Sequence, residues 1–117
     1  MNKIYFYGGA FNPMTLSHLK IIKNIFQEMS KDDLLVIGIT DHDYKTFEFD
    51  YSLRFSIVFE NLNAIKDKKN FKILKQNQRT WKFLNDNFKN DRIKLVIGQD
   101  EYEDLKAGKW HYYNEYI

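Results

Sequence analysis

Apolar residues in this chain occur either in short continuous runs or at helical spacings, and the two kinds of stretch alternate. The continuous runs are rich in β-branched and aromatic residues, which is typical of buried strands. They lie at residues 3–9, 32–40, 71–75 and 92–98. Between them, apolar residues recur every three or four positions, which predicts amphipathic helices. These helical stretches begin near residue 15, cover 51–66 and 80–88, and resume after residue 100.

The strict alternation of strand and helix predicts parallel βαβ units with right-handed crossovers. The run at 32–40 is almost entirely apolar, as expected for a strand covered on both faces of a parallel sheet. We therefore expect a Rossmann-like, doubly wound α/β fold in three layers. Ligands of such folds bind beyond the carboxyl ends of the strands, so the loops after residues 8, 40, 75 and 98 are the candidate functional loops.

The composition narrows the functional classes. The 117 residues suit one domain, 1–117, and 18 basic against 16 acidic residues leave a net charge of only +2. This balance argues against general binding to nucleic acid or membrane, and we interpret the lysine-rich stretch at 66–72 as a solvated helix end. The absence of cysteine excludes disulfides and thiolate metal sites, and no apolar stretch has the length of a secretion signal. We expect a cytoplasmic protein whose anion site, if it has one, is local.

The stretch "YGGAFNPMTLSH", residues 7–18, combines the features of such an anion site. Gly8 and Gly9 end the first strand, where glycine lets backbone amides approach a ligand and adopts backbone angles denied to other residues. The next helix begins near Thr15, and its free N–H groups and dipole favour a phosphate. Thr15 and His18 are three residues apart and so share a helix face. Singly, these residues also suit a tight turn, an N-cap and a surface histidine, but their combination favours phosphate binding.

The same stretch resembles the signature of the nucleotidylyltransferases, which reads Gly-Gly-Ser/Thr-Phe-Asp-Pro and, after a short gap, His/Thr-x-Gly-His. Six residues match in order and spacing: Gly8, Gly9, Phe11, Pro13, Thr15 and His18. Three depart from the signature: Ala10, Asn12 and Ser17. The resemblance implies a sheet in the order 3-2-1-4, with Thr15 and His18 donating to the α-phosphate. It also implies a set of nucleotide-binding residues, namely Gly8, Gly9, Ala10, Phe11 and Ser17.

A second match lies in residues 97–117, "IGQDEYEDLKAGKWHYYNEYI". This segment resembles the part of nicotinate mononucleotide adenylyltransferases that reads Ile-Gly-x-Asp and, further on, Leu and Trp. The resemblance implies that Gly98 and Asp100 contact the nucleotide ribose, opposite the glycines of the first strand. It also implies that Trp110 stacks on a pyridine ring, although an isolated tryptophan in so aromatic a chain also suits ordinary helix packing.

The remaining junctions match the family more loosely. Lys45 corresponds to a lysine that the family places after its second strand, where it steadies the transferring phosphates. Arg54 corresponds to an arginine of the following helix, and we interpret it as structural. Thr80 corresponds to a threonine at a helix start that binds the pyridine carboxylate, and Arg79 before it can pair with the same group.

The function implied is adenylyl transfer from ATP to nicotinate mononucleotide, with Mg²⁺ bound to the triphosphate and no protein metal cluster. The expected partners are therefore ATP and a pyridine mononucleotide, and the oligomeric state stays open. Pantetheine-phosphate adenylyl transfer and cytidylyl transfer are alternatives within the class. Family members continue through a fifth strand to an Ile-Ser-Ser/Thr-Ser/Thr-x-x-Arg motif that residues 1–117 lack. A natural short form, a fragment, and a domain that binds nucleotide without turnover are thus all open.

Overall fold

A computed structural model describes residues 3–41, 46–89 and 91–96, apart from the side chain of Trp81. The described part contains seven elements, in the alternation that the hydrophobic pattern predicts. They are β1 (Lys3–Gly9), α1 (Leu16–Glu28), β2 (Leu34–Thr40), α2 (Tyr51–Asn63), β3 (Phe71–Gln76), α3 (Thr80–Asn87) and β4 (Arg92–Val96). None of the helices in this part of the chain combines the length and apolar character that a membrane crossing requires.

Among the described boundaries, two differ from the pattern-based prediction by two residues or more. The second strand begins at Leu34 rather than at residue 32, because the Asp33 side chain stabilises the turn that precedes it. Its carboxylate accepts hydrogen bonds from the backbone N–H groups of Ser30 and Lys3, at 3.0 and 2.9 Å, and these bonds lower the pKa of Asp33. The second helix ends at Asn63 rather than at residue 66, because the N–H of Ile65 bonds to the carbonyl of Leu62 and so closes a tighter turn.

The four strands form one parallel sheet in the order β3-β2-β1-β4. This confirms the Rossmann-like, doubly wound arrangement and the strand order 3-2-1-4. The order reverses between β1 and β4, so the carboxyl end of β1 lies at the topological switch point. Gly8 pairs with Gly38 of β2, and Tyr7 pairs with Val96 at the described end of β4.

Helices cover both faces of the sheet, which confirms the three layers. α1 and α2 pack on one face, against β1 and β2 residues that include Tyr5, Tyr7 and Ile37. α3 packs on the other face, where Phe83 and Leu84 contact the residues of β1 and β2 that alternate with those facing α1 and α2. Five successive residues of β2, from Leu35 to Ile39, are buried, as expected for a strand covered on both faces.

A pair of glycines makes room for a polar side chain at the carboxyl end of the sheet. Gln76, the last residue of β3, is only 4% exposed, and its Oε1 lies 2.9 Å from where a Cβ on Gly8 or on Gly38 would stand. The ring of Phe6 would be 2.6 Å from a Cβ on Gly38. These two glycines are therefore required by the protein's own packing.

We expect Gly38→Ala to lower the free energy of unfolding by about 1–3 kcal/mol, because Phe6 is fully buried and cannot move away from the added methyl group. Gly9→Ala is the matched control, since its Cβ would meet only the Phe11 ring, at an ordinary 3.4 Å. Urea unfolding followed by circular dichroism measures both variants. Equal destabilisation of the two would contradict this account of Gly38.

Candidate active site

The chain between β1 and α1 brings Thr15 and His18 together, as the sequence predicts. Thr15 is the N-cap of α1, and the two residues form a capping box in which each side chain bonds to the other's backbone N–H. The N–H of Thr15 donates to Nδ1 of His18 at 2.9 Å, and the N–H of His18 approaches Oγ1 of Thr15 at 3.4 Å. The local i,i+3 spacing and the capping chemistry together fix the imidazole at the helix N-terminus.

This geometry determines which nitrogen of His18 carries the proton. Because Nδ1 accepts the N–H of Thr15, the neutral ring must be protonated on Nε2. Burial lowers the pKa of His18, which favours this neutral form. His18 therefore presents an Nε2–H donor beside the free amides of the first turn of α1.

Phe11 supports the imidazole from the other side. Its ring is 2% exposed and lies 4.9 Å from the His18 ring and 5.6 Å, edge to face, from that of Tyr7. The backbone of Phe11 has φ 48°, a left-handed conformation that costs a residue with a side chain about 1–2 kcal/mol. With its side chain in the core, only the backbone of Phe11 is available for the nucleotide contact predicted for this residue.

The conformational role predicted for Gly8 and Gly9 is wrong. Both belong to β1, and neither adopts the left-handed conformation, which falls at Phe11 instead. Gly8 is needed for space beneath Gln76. A Cβ on Gly9 would touch only Phe11, so the protein's own packing leaves room at this position, which suits close approach of a ligand.

The other predicted nucleotide-binding positions of this segment lie at the surface around the helix start. Ala10 is partly buried, and Thr15 and Ser17 are exposed. Ser17 lies in the first turn of α1, so its side chain stands beside the amides that we expect to bind phosphate.

The buried guanidinium of Arg54, in α2, fixes the loop that carries the signature. Its Nη1 donates to the carbonyl of Ala10 at 3.0 Å and to that of Thr40 at 2.6 Å. Its Nε donates to the carbonyl of Phe49 at 2.9 Å. Its Nη2 pairs with the carboxylate of Asp41 at 3.0 Å. The prediction that Arg54 is structural is confirmed, and the loop after β1 is tied to the end of β2 and the start of α2.

Asn12 adds a second tie between the same segments. Its Oδ1 accepts the N–H of Phe49 at 2.9 Å, and it precedes Pro13 through a cis peptide bond. The asparagine that replaces the family's aspartate therefore still supplies an acceptor oxygen, directed at the loop before α2.

The start of α3 lies on the opposite face of the sheet from α1 and forms the second border of the candidate site. Arg79 is its exposed N-cap residue and makes no side-chain capping bond, so no side chain caps the amides of the first turn. Oγ1 of Thr80 accepts a hydrogen bond from Nε2 of Gln76 at 3.1 Å. The Gln76 side chain also packs over Gly8, so it connects the end of β1 to the start of α3.

Four predicted site residues, Lys45, Gly98, Asp100 and Trp110, lie outside the described residues, and their roles stay predictions. Within the described ranges, no group of three or more His, Cys, Asp or Glu side chains is placed to hold a metal ion.

The sequence analysis did not predict a role for Gln76 or for Gly38. The one signal for them was a glycine inside an otherwise apolar strand.

We expect His18 to titrate below its ordinary pKa and to be protonated on Nε2 when neutral, because it is partly buried and its Nδ1 accepts a hydrogen bond. Nitrogen chemical shifts measured by NMR across a pH titration report both properties. The same histidine in urea-unfolded protein is the control. As pH falls below about 6.5, the unfolded chain takes up the proton first, so this histidine should lower stability in that range. An Nδ1–H ring or an unshifted midpoint would contradict the arrangement.

We expect Arg54→Met to lower the free energy of unfolding by about 3–5 kcal/mol, because three carbonyls and Asp41 lose a buried partner. Lys75→Met is the matched control, since Lys75 contacts the same carboxylate at 3.5 Å from a half-exposed position and should contribute less than about 1 kcal/mol. Urea unfolding measures both. Similar losses in the two variants would show that the buried network is not the source of the stability.

Comparison with known proteins shows what this chain is similar to. Residues 6–116 match the model of the cytidylyltransferase-like family. The probable nicotinate-nucleotide adenylyltransferase of Aliarcobacter butzleri is 28% identical over 93% of this chain and 63% of its own length. That of Fusobacterium nucleatum is 27% identical over 98% of this chain and 63% of its own length.

A phosphopantetheine adenylyltransferase from Wolbachia pipientis of Culex pipiens is 41% identical over 48% of this chain and 32% of its own length. The chain thus spans somewhat under two thirds of the length of the nicotinate-nucleotide adenylyltransferases named above. The match to the family model covers nearly all of the chain, including the signature, and the sheet has the expected order. The chain belongs to the cytidylyltransferase-like family of nucleotidyltransferases.

Proposed function

We propose that this protein transfers the adenylyl group of ATP to nicotinate mononucleotide. A 5′-phosphate oxygen of the mononucleotide bonds to the α-phosphorus of ATP. The bond from that phosphorus to the oxygen bridging to the β-phosphate breaks, and pyrophosphate leaves with the electron pair. The observation that carries the proposal is the capping box of Thr15 and His18, which holds the imidazole, with its donor on Nε2, at the N-terminus of α1.

The chemistry requires positioning and charge stabilisation rather than a covalent intermediate. Negative charge develops on the α-phosphate oxygens, and Nε2–H of His18 is the preorganised donor for it. The amides of the first turn of α1 add further donors. The Thr15 hydroxyl lies 3.1 Å from Nδ1 of His18 and adds a donor when its proton turns from that nitrogen to the ligand. Lys45, Gly98 and Asp100 are proposed to complete the phosphate and ribose contacts.

Mg²⁺ is proposed to enter as part of the substrate, MgATP. Mg²⁺ keeps several water ligands and binds substrate phosphates, so phosphate oxygens and water are proposed to hold the ion. Binding of the cation therefore depends on the nucleotide.

The mononucleotide is proposed to bind across the end of β1 at the start of α3. The first-turn amides there have no side-chain cap, and Arg79 and Thr80 stand beside them. These groups are hydrogen-bond donors, which suits the pyridine carboxylate. Trp110 is proposed to stack on the pyridine ring. The relatives named nicotinate-nucleotide adenylyltransferases support this choice of acceptor.

A second candidate acceptor is phosphopantetheine. It is favoured by the Wolbachia relative, whose similarity covers about half of this chain. A third candidate function is nucleotide binding without turnover, favoured by the exposed Ser17 side chain where the signature has glycine.

Pyrophosphate release tests the three candidates. The protein is mixed with ATP and Mg²⁺, and with nicotinate mononucleotide or phosphopantetheine in parallel. We expect release with the pyridine nucleotide and a loss of about a hundredfold in turnover for His18→Ala, because one oxyanion donor is removed. Asn24→Ala, an exposed residue of the same helix, is the control and should keep full turnover.

Three results would overturn the proposal. Release only with phosphopantetheine would establish the second candidate. Binding of ATP without release would establish the third. Full turnover in folded His18→Ala would remove the role proposed for the imidazole.

A further inference from the structure

The side chain of Gln76 lies in an orientation that leaves a buried atom without a partner. Its Nε2 donates to the carbonyl of Gln78 at 3.0 Å and to Oγ1 of Thr80 at 3.1 Å. Its Oε1 is buried and has no hydrogen-bond partner among the described residues. A buried acceptor without a partner is unfavourable, so the hydrogen bonds made by the opposite end of the amide must offset it.

The reverse orientation of the amide is excluded by its neighbours. Exchanging the two ends would direct Oε1 at the carbonyl oxygen of Gln78, and two acceptors would then face each other. The absence of side chains at Gly8 and Gly38 gives Oε1 the space it occupies instead. The fold therefore fixes Nε2 toward Thr80.

This orientation determines which way the proton of the Thr80 hydroxyl points. Because Oγ1 of Thr80 accepts from Nε2, its own proton points elsewhere, and no other partner of this hydroxyl occurs among the described residues. Thr80 is only partly buried and stands at the start of α3, beside amides that no side chain caps. The first-turn amides, the Arg79 side chain and the Thr80 proton are then the donors that this border offers to a ligand.

We propose that Gln76 is a positioning residue that acts through Thr80 to set the preference for an acidic acceptor nucleotide over its amide. The inference rests on the proposed function, because it takes the start of α3 as the acceptor site. A carboxylate supplies acceptors only and satisfies a border of donors. A carboxamide brings an NH₂ group that finds no acceptor there, which costs it affinity.

The substitution Gln76→Glu reverses the direction of the hydrogen bond between residue 76 and Thr80, because a carboxylate accepts where the amide donates. In this variant a side-chain oxygen also faces the Gln78 carbonyl, so circular dichroism must first show that the variant folds. In the folded variant a side-chain oxygen accepts the Thr80 proton, and Oγ1 offers only lone pairs to the ligand. Gln76→Met keeps the length of the side chain and removes both the donor and the orphaned oxygen, so it reports the same contact without burying a charge. Asn77→Asp adds a charge at the exposed neighbouring position and is the control for a general electrostatic effect.

Calorimetry of the full chain measures the dissociation constants of nicotinate mononucleotide and nicotinamide mononucleotide, and in parallel that of an ATP analogue. We expect the wild type to bind the acid more tightly. Gln76→Met should weaken binding of the acid about tenfold and leave that of the ATP analogue unchanged within a factor of about two, because the Thr80 proton is then no longer held toward the ligand. Gln76→Glu should lower the ratio of acid to amide affinity further, and Asn77→Asp should leave it unchanged.

Thr80→Val decides whether the effect passes through the hydroxyl. In that background, Gln76→Met should produce little further loss, since the two residues act as one unit. Unchanged acid binding in folded Gln76→Met would overturn the inference, as would additive losses, equal losses for the ATP analogue, or a wild type that binds neither mononucleotide. Normal binding and ratios without pyrophosphate release would instead overturn the proposed function and leave the role of Gln76 standing.

Discussion

The buried guanidinium of Arg54 joins the three segments that form the carboxyl edge of the sheet. It donates to the loop after β1, the end of β2 and the start of α2, and its charge is balanced by Asp41. A buried guanidinium is tolerated only when it is paired and hydrogen-bonded, so these segments can depart from this arrangement only at a large energetic cost. The left-handed Phe11 and the capping box at Thr15 lie directly downstream of the carbonyl that Arg54 holds at Ala10.

The candidate site follows from that constraint as two groups of donors on either side of the β1 glycines. On one side are the amides of α1 and the Nε2–H of His18. On the other are the uncapped start of α3 and the Thr80 hydroxyl that Gln76 orients. In a chain with a net charge of only +2, these donors come from backbone amides and a few fixed side chains rather than from an excess of basic residues.

Local chemistry explains why much of this could be predicted. The strands follow from continuous apolar runs, and the helices follow from three- and four-residue spacings, so all seven described elements were predicted. The pairing of Thr15 with His18 was predicted because three residues of helix separate them. The start of β2 was not, because it depends on Asp33 bonding to Lys3, 30 residues away. Nor was the positive φ, which falls on Phe11 rather than on a glycine, at a residue whose ring packs against Tyr7 and His18.

The sequence by itself determined the alternation of elements, the position of the signature at the first strand-to-helix junction and, through its resemblance, the family. Only the tertiary structure decided why Gly8 is glycine, what Arg54 binds, and which way the Thr80 hydroxyl points. The physical reason is that each of these depends on contacts between segments distant in the chain. Arg54 bonds to Ala10 across 44 residues, and Gln76 crosses two strands that precede it in the chain. Periodicity reports which face of an element is buried, but not which polar atom finds a partner there.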